Sequence, residues 1–181
     1  MRFTPGCGAP EQAVFPKLQS WTEHTDEGIR YYSGSAVYSM RFDVQPASVG
    51  TGRRLVLDLG TVKNFAEVTL NGKSFGVLWK APFAVDVTGA LKPGSNQLEV
   101  RVTNLWPNRL IGDEQKPAEV EWRGNTIARW PDWLREGKPR PTSDRFTFTT
   151  WRFWWKDSPL IESGLLGPVV IRSSETIVLR L

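Results

Sequence analysis

The chain has 181 residues, 40% of them hydrophobic, which suits one well-buried core and is slightly long for a single sandwich domain. Its formal net charge of +4 is spread along the sequence without a basic run, so nothing marks a nucleic acid as partner, and no stretch of about 18 apolar residues offers a transmembrane helix. One cysteine, Cys7, and one histidine, His24, are too few for an internal disulfide or an ordinary zinc site.

Residues 1–30 hold Pro5, Gly6, Gly8, Pro10 and Pro16 and read as an irregular lead-in. Val14, Phe15, Leu18 and Trp21 are its expected anchors on a domain spanning 31–181. The start lacks the apolar stretch of a signal peptide, so a secretion signal of any longer parent is expected elsewhere. From Ala36 the pattern alternates: Ala36, Tyr38, Met40, Phe42 and Val44 predict the buried face of a strand. Leu55, Leu57 and Leu59 predict a second strand, and Phe65 to Leu70 a third. Asn71-Gly72 follows at once and predicts a type I′ hairpin turn, with Lys73 to Trp79 as the returning strand. Phe83 to Thr88 alternates again; a turn rich in breakers over Leu91 to Asn96 then leads to a strand carrying Leu98, Val100 and Val102.

Residues 104–145 interrupt this rhythm with five prolines and predict a long loop insertion, of the kind that often carries function. Within it Glu119 to Trp122 suggests a short strand and Trp130 to Arg135 a single helical turn. Strand signals resume at Arg145 to Thr150. An aromatic cluster of Trp151, Phe153, Trp154 and Trp155 follows, then turns at Gly164 and Gly167-Pro168, then closing strands over 169–171 and 176–181. Eight or nine short strands with almost no helical period predict an all-β protein, an antiparallel β-sandwich of jelly-roll type.

Catalytic patterns are sparse. There is no phosphate-binding glycine loop, no nucleophile elbow and no zinc-protease motif, and nothing places a serine beside His24. Glycosidases need two carboxyls across a sugar-sized gap, and the candidates are Asp113 with Glu114, Glu119 with Glu121, and Asp157 with Glu162. Glu119 and Glu121 would share one face of a strand, roughly 7 Å apart, a spacing any exposed strand offers.

The run Leu57-Asp58-Leu59-Gly60, then Ala66 to Lys73, Gly76, Trp79, Pro82-Phe83, Asp86-Val87-Thr88 and Leu91 to Val100, resembles the galactose-binding-like, sugar-binding domain of glycoside hydrolase family 2. The stretch Asn104 to Asp113 and the later Ser163 to Val169 are similar to the C-terminal region of the rhamnosidase-like enzymes of family 106. The resemblance implies scaffold roles here: Trp79, Pro82 and Phe83 covering the core, and Asp86 to Thr88 bonding their own turn. The acid and base carboxylates are then expected on a separate catalytic barrel domain of a parent enzyme. The parent is expected to be a secreted or periplasmic bacterial enzyme acting on plant polysaccharide, and a structural calcium ion is a feature of such domains. A glycan is the expected ligand. Trp106, Asn108, Arg109, Asp113, Trp130, Asp132 and Trp133 supply the aromatic platform and polar groups a sugar site needs. Two other readings stay open: a docking domain that binds no sugar, and a small independent glycosidase using one of the acidic pairs.

Overall fold

In the computed structural model, which describes residues 1–50 and 52–175, twelve strands appear in chain order. They are β1 (Arg2–Phe3), β2 (Ser35–Val44), β3 (Arg53–Asp58), β4 (Thr61–Lys63), β5 (Phe65–Leu70), β6 (Lys73–Leu78), β7 (Ala84–Asp86), β8 (Gly94–Thr103), β9 (Trp122–Arg123), β10 (Thr126–Ile127), β11 (Gly164–Gly167) and β12 (Val170–Glu175). Five form an antiparallel sheet in the order β1-β2-β8-β5-β6, and β12-β3-β7 form a second sheet of three. β11 and β4 make a separate pair. The central pairing is long: β2 and β8 run from Ser35 opposite Thr103 to Val44 opposite Gly94. The expected closing strand over 176–181 lies outside the described residues.

Alternation explains the layering. Ala66, Val68 and Leu70 of β5 and Asn96, Leu98, Val100 and Val102 of β8 are all buried, while their neighbours turn outward. Leu55 and Leu57 of β3, with Leu59 just beyond it, join the same core cluster, so the two sheets face each other across one apolar interior. Each fully buried valine or leucine among them contributes roughly 1.5–3 kcal/mol. The β5–β6 hairpin turns on Asn71 (φ 50°) and Gly72 (φ 81°), both left-handed, as a type I′ turn requires. Buried Asn96 ties that turn to the next: its side chain accepts from Lys92 N and Asn71 Nδ2 and donates to Lys92 O and Gly94 O. Thr88 N donates to Asp86 Oδ1, the local bonding expected of that segment.

The first thirty residues are more ordered than their prolines suggest. β1 extends the large sheet, and a short helix, α1 (Glu27–Arg30), is capped by Asp26. The anchors differ from expectation. Trp21 is completely buried and meets Phe3 and Tyr32 edge-on, but Val14 is 87% exposed and Leu18 lies at the surface. Trp21 Nε1 donates to the Tyr38 hydroxyl at 2.6 Å, and Leu165 N donates to the same oxygen, so lead-in, β2 and β11 meet at one atom. Gly164 sits there because a Cβ would come within 2.5 Å of Trp21 Nε1.

Further departures follow from solvent. Met40 shares the inward face of β2 yet is 53% exposed, and Trp79 stands out from the surface and does not cover the core. Gly164 and Gly167 lie within β11 and not in turns. Arg145 to Thr150 runs without a sheet partner of its own, since its polar contacts go to the side chains of Asp113 and Arg140 described next.

Candidate functional site

The insertion begins with a helix the sequence pattern hid, α2 (Pro107–Asp113), started by a proline that has no N–H to leave unpaired. Trp106 precedes it, 69% exposed, and its carbonyl accepts from Arg109 N and Leu110 N. Asn108, Arg109 and Asp113, expected to face a sugar, are instead buried. Asn108 clamps the chain's return: Nδ2 donates to Ile161 O at 2.7 Å, and Oδ1 accepts from Ile161 N at 2.8 Å. Asp113 Oδ2 accepts from both the amide and the hydroxyl of Thr147, each at 2.6 Å. Arg109 lies 3.7 Å from Asp113 Oδ1 and beneath the ring of Phe146, 4.7 Å from its centroid. Burial pulls its pKa below the ordinary arginine range, and the Asp113 charge opposes that pull. Asn108 and Asp113 thus hold the root of the insertion by hydrogen bonds, and Arg109 by its contact with the Phe146 ring and the Asp113 charge, with its Nε and Nη2 left without a hydrogen-bond partner.

Beyond α2 the insertion is held by charge. Glu114 receives Arg145 on one oxygen and Arg152 on the other, Arg152 Nε at 2.8 Å. Glu119 takes a bidentate pair of bonds from Arg140, whose Nη2 also reaches the carbonyls of Arg145 and Thr147. Burial pushes the Glu119 carboxyl up, but bonds from Arg140 and Ser143 and the charges of Arg140 and Arg145 outweigh it and leave its pKa below the usual value. Arg152 also stacks on Trp155 at 4.0 Å and lies 5.9 Å from the centroid of Trp122. β9 and β10 form a small hairpin at the place where a short strand was expected, though Glu119 and Glu121 precede it. A one-turn helix, α3 (Asp132–Arg135), stands where the helical turn was expected. Asp132 pairs with Arg129 and Arg135 in water, Trp130 is half exposed, and Trp133 packs edge-on against Phe148.

The expected sugar residues therefore fall into two local groups, one built into α2 and one at α3. Sequence reasoning missed Glu114, Arg140, Arg145 and Arg152 as fasteners. Their signal was present, since these arginines recur inside an aromatic stretch that follows two glutamates. The cavity beside Glu114 and Trp122 holds about 30 Å³, room for water but far below a sugar pocket. Of the acidic pairs offered for catalysis, Asp113, Glu114 and Glu119 are bonded inside the protein, while Glu121, Asp157 and Glu162 are exposed, with Glu162 paired to Lys63 at the surface. His24 Nδ1 accepts from Asp26 N, and its ring lies 5.2 Å from Phe15. Among the described residues no group of three or more His, Cys, Asp or Glu side chains is gathered to hold a metal ion, and no helix is long and apolar enough to cross a membrane.

From Glu114 to Glu162 no residue is buried as a whole, yet six of the nine tryptophans lie in this stretch. Trp151, Phe153 and Trp155 are 44%, 69% and 42% exposed, and Phe146 is 48% exposed.

Sandwich and insertion together define a class: a galactose-binding-like β-sandwich carrying an aromatic arm. Residues 20–140 match the family "Glycosyl hydrolase 2 galactose-binding domain-like", and the chain belongs to that family. A relative from Formosa agariphila, named "Putative beta-glucuronidase", is 52% identical over 157 residues, which are 87% of this chain and 13% of the relative. Among solved structures, the rhamnosidase from Novosphingobium sp. PP1Y superposes with a TM-score of 0.76 at 35% identity, covering 96% of this chain and 14% of that enzyme. The chain thus spans about one-seventh of the length of these two proteins.

Proposed function

We propose that this chain is a non-catalytic accessory module of a rhamnosidase-like glycoside hydrolase, and that its insertion docks the module onto the catalytic remainder of the parent enzyme. The observation that carries the reading is the run of 49 residues, Glu114 to Glu162, with no buried residue and six tryptophans. A segment so aromatic and so thinly covered gains its apolar burial from a neighbour, since exposed patches of this kind mark interaction surfaces. Both relatives support a neighbour within the same polypeptide, because roughly six-sevenths of each lies outside the matched region. The bonded state of Asp113, Glu114 and Glu119 argues against catalysis by this chain, and the burial of Asn108, Arg109 and Asp113 leaves Asp132 as the exposed member of the expected polar groups. A parent acting on plant polysaccharide, exported from a bacterial cell, remains part of the proposal through the family resemblance.

The test is to mix the chain with the parent's remaining polypeptide, expressed separately, and follow the mixture by size-exclusion chromatography with light scattering. A one-to-one complex, lost in a Phe153→Asp/Trp155→Asp variant, is expected. No complex, or turnover of a glycoside by the isolated chain that disappears in Glu119→Gln, overturns the reading.

A further inference from the structure

Away from the insertion, the sandwich opens at one end. A groove of about 420 Å³ lies there, with Phe15, Leu18, Tyr38 and Met40 along its walls and the buried side chains of Leu98, Val100 and Leu165 beneath them. Met40 lies on the same face of β2 as Ala36, which is completely buried, yet Met40 is 53% exposed. β1 covers the outer edge of β2 only at Ala36 and Val37.

The chemistry of the mouth is specific. The Tyr38 hydroxyl is already taken by Trp21 and Leu165, and the Ser39 hydroxyl donates to Glu99. Lys17 lines the same cavity, and no ion pair involves it among the described residues. The groove is therefore largely apolar, with the Lys17 ammonium at its rim. Its volume falls in the range of small-molecule sites, which combine apolar walls with a few placed polar groups.

We propose that this cavity is a binding site for a small amphiphile, with an aryl or alkyl body seated against Phe15, Tyr38 and Met40 and a single anionic group paired with Lys17. The site does not involve the insertion, so it stands or falls independently of the docking role.

The probe is 8-anilinonaphthalene-1-sulfonate, which has an aryl body and one anionic group, titrated into the intact chain and read by its fluorescence. A saturable one-site enhancement is expected, displaced by dodecanoate if the natural body is an alkyl chain and by 1-naphthoate if it is aryl. Met40→Asp puts a negative charge at the half-exposed wall and should weaken the anionic probe at least tenfold. Lys17→Glu should weaken the sulfonate probe while leaving the neutral N-phenyl-1-naphthylamine within about twofold. Absence of a saturable site overturns the proposal. So does an enhancement that Met40→Asp leaves unchanged, which would place the dye on the exposed tryptophans of the insertion. Equal loss of both probes in Lys17→Glu refutes the ion pair.

Discussion

Glu114→Gln is the change that most sharply separates the insertion from the sandwich. The side chain is 8% exposed and neutralises Arg145 and Arg152, which are 11% and 25% exposed. An amide keeps the shape but removes the charge, leaving two arginines facing each other. Breaking a fully buried pair costs about 3–5 kcal/mol, and a bond to a charged group is worth about 1.5–3 kcal/mol. Because both arginines can partly rehydrate, the expected cost is about 2–3 kcal/mol. That cost should fall on the insertion alone, since the residues it joins belong to a stretch with no buried residue. Hydrogen exchange read by mass spectrometry is the assay. Amides such as Thr147, bonded to Asp113, and Arg152, bonded to Asn125 O, should exchange about 30- to 150-fold faster, at tenfold per 1.4 kcal/mol. The β5 and β8 amides should keep their protection. Unchanged exchange in 140–155, or an equal fall across β5 and β8, would refute the claim that ion pairs hold the insertion as a separable unit.

Other predictions follow the same bonds. Asn96→Ala leaves the Asn71 amide and three backbone groups without their partner, and urea unfolding should report a loss of about 3 kcal/mol or more. Tyr38→Phe strands Trp21 Nε1 and Leu165 N in the core, which should cost about 2–4 kcal/mol in the same assay. The Glu119 carboxyl is held below its ordinary 4.5, so its bond to Arg140 stabilises the insertion at and above that pH. The contribution should fade as pH drops below about 4.5 through the folded-state value, seen as faster exchange in 140–147. Glu119→Gln should remove that acid step, and a step that survives the change would assign it to another group.

The sandwich was legible because its signals are local. Alternation at Leu98, Val100 and Val102 and the Asn71-Gly72 pair each specify one geometry, and long-range pairing then has little freedom. The site was less legible. Asn108, Arg109 and Asp113 carry the side-chain types of a sugar site, but only the packing of α2 against residues 146–147 and 161 shows that they face inward. Composition reports what a side chain can bond, not whether protein or solvent supplies the partner. Arg145 to Thr150 failed as a strand for a related reason: its β-branched and aromatic pattern was real, but its backbone and hydroxyl bonds go to Asp113 and Arg140 and not to a neighbouring strand. Likewise Trp79, on a strand pattern that held, turned outward at the strand's end, where alternation no longer constrains it.

The central claim is that the exposed tryptophans meet protein and not sugar. Tryptophan emission of the intact chain, titrated in parallel with the separately expressed remainder of the parent enzyme and with rhamnose, galactose and pectic oligosaccharides, tests it most directly. The account predicts a saturable blue shift with the polypeptide and no change with any sugar. A saturable shift with a sugar, abolished by Trp106→Ala or Trp130→Ala, together with no response to the polypeptide, would contradict it and make this a glycan-binding module.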